Sequence, residues 1–127
     1  MKDIEGIEDI RLFVDEFYGK VRENELIGPV FNAAVLDWPH HLGVLYAFWN
    51  AALFGVPGFR GNPFAKHASL QIGPKHFEQW LLIFSSTIDR HFNGIIAEEA
   101  KKRAKLMADM FLNRLIKLDG DPSKVVA

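Results

Sequence analysis

Asp37-Trp38-Pro39-His40-His41-Leu42-Gly43-Val44-Leu45-Tyr46-Ala47-Phe48-Trp49-Asn50-Ala51-Ala52-Leu53-Phe54-Gly55 is the stretch that decides the fold. Asp37 suits an N-cap and Pro39 suits the first helical turn, where its missing N–H costs nothing. Trp38, Leu42, Leu45, Phe48, Trp49, Ala52 and Leu53 then share one broad helix face, and Gly55-Val56-Pro57-Gly58 ends the helix. The run from Tyr46 to Val56 is strongly apolar but contains Asn50 and falls well short of the roughly 20 residues of a membrane span. A buried helix is the expectation.

Upstream, Ile7, Ile10, Phe13, Val14, Phe17, Tyr18 and Val21 recur at three-and-four spacing, with Asp9, Arg11, Asp15, Glu16 and Lys20 on the opposite face. That pattern is an amphipathic helix. A break begins at Asn24-Glu25, and Leu26-Ile27-Gly28-Pro29-Val30-Phe31 reads as a turn feeding a short helix that ends by about Ala34. Downstream, the twenty residues from Gly55 to Pro74 hold four Gly and three Pro, which predicts a loop with one turn around Phe64–Ser69. A loop of this length inside a compact domain usually serves a function. Gly73-Pro74 starts a third long helix through Phe77, Trp80, Leu81, Phe84 and Ile88, closed near Asn93-Gly94. The fourth runs from about Ile96 to Leu118, with Ala100, Ala104, Met107, Ala108, Phe111, Leu115 and Leu118 inward. Gly120-Asp121-Pro122 stops it and leaves a frayed tail over 119–127. The class is all-α, and 127 residues predict one domain over 1–127.

Composition narrows the chemistry. With no Cys, the chain cannot form disulfides, Cys-ligated zinc, iron–sulfur centres or a thiol nucleophile. Fifteen basic against 16 acidic side chains give a formal charge of -1, which offers no clustered basic surface for nucleic acid or anionic membrane. In the one basic run, Lys101-Lys102-Arg103-Lys105, Glu98 stands four before Lys102 and Glu99 four before Arg103, so helix ion pairs on a solvated face are expected. Acidic residues stand where a secretory signal would be apolar, and the cytoplasm is the expected location. The serines lie in no nucleophile elbow and the glycines form no phosphate loop. The five histidines include no multi-ligand zinc spacing.

A single-histidine site remains. One imidazole suffices for an iron already held by a macrocycle, provided that apolar walls and a few donors surround it. Eleven Phe, three Trp and two Tyr are available for such walls, although aromatics at helical spacing also serve as plain core. His67 stands at the end of the Gly/Pro segment, where a loop can aim a side chain at a ligand; a solvent-facing loop histidine is the alternative. Of the adjacent pair, His41 rather than His40 shares a face with Leu45 and Phe48, with a boundary histidine as its alternative. Tyr18 and Trp80 lie on apolar faces, either as core or as buried donors.

In the order Phe17-Tyr18 with Val21, Leu26-Ile27-Gly28-Pro29-Val30-Phe31, Trp38 with His41, Phe48-Trp49, Gly61-Asn62-Pro63 with His67, and His76-Phe77 with Trp80 and Phe84, the chain resembles the truncated haemoglobins, specifically the third of their three groups. The resemblance spans nearly the whole chain, and the glycine pairs diagnostic of the first two groups are absent. It implies a two-over-two helical sandwich around haem b (iron protoporphyrin IX) and a pentacoordinate or otherwise ligandable iron. His67 matches the proximal iron ligand; Tyr18, His41 and Trp80 match distal positions; Phe31, Leu45, Phe48 and Trp49 match pocket walls. Where relatives often carry Tyr before the loop glycine this chain has Phe59, and Lys66 and His40 are candidate propionate partners. The implied function is reversible binding of O₂, CO and NO, with slow O₂ release that favours roles other than bulk transport. The alternatives are an NO dioxygenase or peroxidase-like enzyme fed by an external reductase, and a haem-free helical interaction domain. A monomer or weak dimer is expected.

Overall fold

The structure, a computed structural model, describes residues 1–59 and 73–119, with side chains to residue 113. The turn read around Phe64–Ser69, with His67 and Lys66, and the tail beyond 119 lie outside the described residues. Among the described residues there are five helices: α1 (Ile7–Glu23), α2 (Gly28–Ala34), α3 (Trp38–Phe54), α4 (Pro74–His91) and α5 (Ile95–Asp119). Among the described residues there is no strand.

The stripe read from the sequence is the buried side of α1: Ile10, Phe13, Val14, Phe17, Tyr18 and Val21. Glu8 and Asp9 in its first turn and Lys20 and Arg22 in its last complement the helix dipole. The break at Asn24 has a local cause, since its side-chain Oδ1 accepts from the N–H groups of Leu26 (2.9 Å) and Ile27 (3.1 Å) and turns the chain. Gly28 then begins α2 against the end of α1, where any Cβ would stand 2.7 Å from the Arg22 carbonyl oxygen.

α1 packs on α2, α3 and α4, and α4 packs on α5. Phe13 sits at the centre, edge-on to Trp49 (5.7 Å), Phe84 (5.9 Å) and Phe92 (6.4 Å). Trp49 stacks on Phe84 at 5.2 Å. On α5 the buried positions are the small residues Ala97, Ala100, Ala104 and Ala108, which let its backbone approach the large aromatics of its neighbours. The surface of α5 differs in one detail from the expected pairing. Arg103 pairs with Glu99 (2.9 Å) as read, but Glu98 pairs with Lys101 (3.0 Å) rather than Lys102. Lys101 lies on the side facing α4, where Asp89 also holds it at 2.7 Å.

The N-terminal segment closes the far end of the fold. The Asn93 N–H donates to the Lys2 carbonyl at 3.0 Å. Asp3 caps α5 from outside that helix, its two carboxylate oxygens accepting from Ile96 (2.9 Å) and Ala97 (2.8 Å). Gly94, at φ 148°, has no room for a Cβ, which would meet the Asp3 carboxyl carbon at 2.5 Å. Burial alone would raise the Asp3 pKa, but the backbone donors of Ile96 and Ala97 hold the carboxyl below its usual value. The stabilisation from a depressed carboxylate is complete above the unfolded pKa, about 3.9, and is lost as the pH falls through the folded value. Asp3→Ala is expected to reduce unfolding stability by about 1 kcal/mol at pH 7. Urea titration at pH 7 and pH 3 checks this: the difference between wild type and variant shrinks in acid.

Candidate functional site

Apart from His40, His41 and Asn50, α3 is apolar almost round its whole circumference, yet among its residues only Trp49 is closed off from solvent. Leu42, Leu45, Tyr46, Phe48, Ala52 and Leu53 pack against the main core but remain half-buried. A helix of this composition belongs in an interior, and among the described residues α1 is its main cover, with α5 packing on it more lightly. A second apolar body consists of Phe77 and Ala108 with Trp80, Leu81, Phe111 and Leu112 from α4 and α5. Trp80 and Leu81 pack on both bodies.

Tyr18 stands at this junction, 5% exposed. Its ring lies edge-on to Phe17 (4.7 Å), Phe31 (6.1 Å) and His41 (6.0 Å), and tilted to Trp38 (5.8 Å). Burial pushes its phenol pKa well above the ordinary value, opposed by the neighbouring Trp80 indole. The phenol therefore stays protonated.

The positions singled out in the sequence are brought together unequally. Tyr18, Phe31 and His41 form one ring cluster, which Trp80 joins through Tyr18 and through Phe17 (5.4 Å). Phe48 lies between Trp49 (5.3 Å) and Phe59 (5.2 Å), beside the end of the described segment. Leu45 is half-buried on the core, whereas Trp49 is an interior residue stacked on Phe84. His40 is exposed and His41 half-buried, as their helical offset requires. His67 lies outside the described residues. Sequence reasoning assigned no site role to Trp38, which sits one turn before His41 with their rings 5.7 Å apart. Its i, i+3 spacing to His41 was the available signal.

These side chains suit a flat, largely apolar group with a small polar ligand near Tyr18. The walls are aromatic and aliphatic and the donors are neutral. Among the described residues no cluster of three or more His, Cys, Asp or Glu is placed to hold a bare metal ion. A metal borne by a macrocycle would need one protein ligand, and half-buried apolar and aromatic side chains of this kind suit the faces of a macrocycle.

Residues 2–113 match the family model described as "Bacterial-like globin". The chain is 32% identical over 118 residues to a group 3 truncated hemoglobin of Campylobacter jejuni, covering 89% of this chain and 93% of that protein. The crystal structure of a group III truncated hemoglobin from Campylobacter jejuni matches the fold with a TM-score of 0.82 at 31% identity, over 91% of this chain and 95% of that one.

The two tyrosines of the chain give a test of the site's burial. Burial and a hydrogen bond to Asp15 push Tyr46 up to about 12, and burial raises Tyr18 as well. Spectrophotometric titration of the folded protein is expected to show no tyrosinate step near pH 10, the ordinary value. Because both folded values are raised, stability is full below about pH 10 and declines as the pH rises beyond it. A tyrosinate step near pH 10 that disappears in Tyr18→Phe would contradict the burial of Tyr18.

Proposed function

The chain belongs to the bacterial-like globin family, in the third group of truncated haemoglobins, and on that premise we propose that it is a cytoplasmic, single-domain protein that uses haem b to bind O₂, CO and NO reversibly. The observation that carries the proposal is the apolar circumference of α3, left half-covered beside a buried, protonated Tyr18. Haem would supply an iron with one position for the protein and one for a diatomic ligand.

His67 is the proposed protein ligand. Its second ring nitrogen would donate to a carbonyl or water and so fix the ring's orientation. Phe31, Leu45 and Phe48 form the proposed walls, and Trp49, stacked behind them on Phe84, holds Phe48 in place. On the ligand side, the Tyr18 O–H and the Trp80 indole N–H are the proposed donors to a bound ligand. His41 completes this side, edge-on to Tyr18.

A hydrogen bond to a partly charged oxygen contributes about 1.5–3 kcal/mol, or roughly ten- to hundredfold in dissociation. O₂ release from Tyr18→Phe, followed by stopped flow, is expected to be faster by that factor; an unchanged rate would remove Tyr18 from ligand binding. His67→Ala is expected to lose haem or to alter its ferrous spectrum, and a spectrum identical to wild type would place the protein ligand elsewhere.

A further inference from the structure

We propose that Trp38 is the shutter between solvent and the Tyr18 side of the site, and that the Arg22 guanidinium is the latch that holds it closed. The proposal rests on the reading above, in which Tyr18 faces the ligand.

Trp38 is the first residue of α3, where Asp37 caps the helix by accepting from the His40 N–H at 3.1 Å and Pro39 stiffens the first turn. The inner side of the indole meets Tyr18 (5.8 Å) and His41 (5.7 Å). Over its ring, 4.7 Å from the centroid, lies the Arg22 guanidinium at the end of α1. Arg22 is itself positioned by α2: its Nε–H donates to Asn32 Oδ1 at 3.4 Å, while the Asn32 amide donates to the Arg22 carbonyl at 3.1 Å. Arg22 and Asn32 are exposed, Trp38 is half-buried and Tyr18 is buried. The indole therefore lies between the exposed Arg22 guanidinium and the buried phenol.

The arrangement suits a moving part better than a wall. A cation over an aromatic face at an exposed position is a weak contact, strong enough to bias one rotamer without fixing it. The linker before Trp38 can absorb movement, for Leu36 is 96% exposed and holds the linker to nothing. A latch also predicts a kinetic pattern that a ligand-contacting residue does not. Weakening it lowers the same barrier for entry and for escape, so both rates rise together and affinity stays constant. A residue that hydrogen-bonds the ligand changes the dissociation rate and the affinity.

The test is CO rebinding after photolysis, with CO displacement for the dissociation rate, in the haem-loaded protein. Arg22→Gln is expected to speed association and dissociation alike by about two- to fivefold, the Boltzmann factor of one exposed cation–π contact, with unchanged CO affinity. Trp38→Leu should speed both further. A change confined to dissociation, or no change in Arg22→Gln, would overturn the latch. The three tryptophans allow an independent readout in haem-free protein labelled with 5-fluorotryptophan. The resonance lost in Trp38→Leu should be the one that moves in Arg22→Gln, and an unmoved resonance would also overturn the latch. Wild-type protein that binds no CO would overturn the functional reading and the shutter together, whereas wild type that binds CO with Arg22→Gln unaltered sinks the shutter alone.

Discussion

A helix that is apolar on nearly every side has to be covered on nearly every side, and α3 imposes that demand on the molecule. α1 meets part of it through Phe13, edge-on to Trp49. α4 and α5 add Phe84, Ile88, Ala97, Ala100 and Ala104 to the same interior, and a smaller apolar body around Phe77 and Ala108 joins it through Trp80 and Leu81. Among the described residues, Leu42, Leu45, Phe48 and Leu53 stay half-buried, which is consistent with cover by a flat apolar group, as the globin family implies.

The aromatic interior gives this arrangement its precision. Phe13, Phe17, Trp49, Trp80 and Phe84 meet edge-on or stacked at 5.2–5.9 Å, and rings with few rotamers hold one another in position. Tyr18 and Trp80, both packed edge-on against Phe17, inherit that rigidity. The distant N-terminal segment supports the same frame by a different means. Asp3 caps α5 across more than ninety residues of chain and so fixes the helix that brings Ala104 and Ala108 toward α4.

What the sequence made legible was local. The stripe of α1, the Asp37 cap, the Gly/Pro interruption and the small-residue face of α5 all follow from periodicity or from the backbone preferences of single residues. Tyr18 and His41 could be nominated because their helical faces were readable, whereas Phe31 came from the resemblance to the truncated haemoglobins. Contacts between remote segments could not be read that way. Asp3 resembles any acidic residue near a terminus until Gly94 and Ile96 come beside it, and Lys101 takes Glu98 because Asp89 of another helix draws it to that side. That Trp80 comes beside Tyr18 and Phe17 depends on how α4 crosses α1, which no spacing encodes. Trp38 was visible as an apolar residue at the start of α3, but its position between Arg22 and Tyr18 comes from the corner that Asn24 and Gly28 build.

The whole reading turns on whether a histidine-held haem fills the space beside α3. Absorption spectra of protein purified after haem-supplemented expression, recorded in the ferric, dithionite-reduced and CO-bound forms, decide it. The account predicts one haem per chain and a ferrous–CO spectrum typical of a histidine-ligated globin. A colourless protein whose melting temperature ignores added haem would contradict it and would leave the aromatic residues as the core of a helical interaction domain.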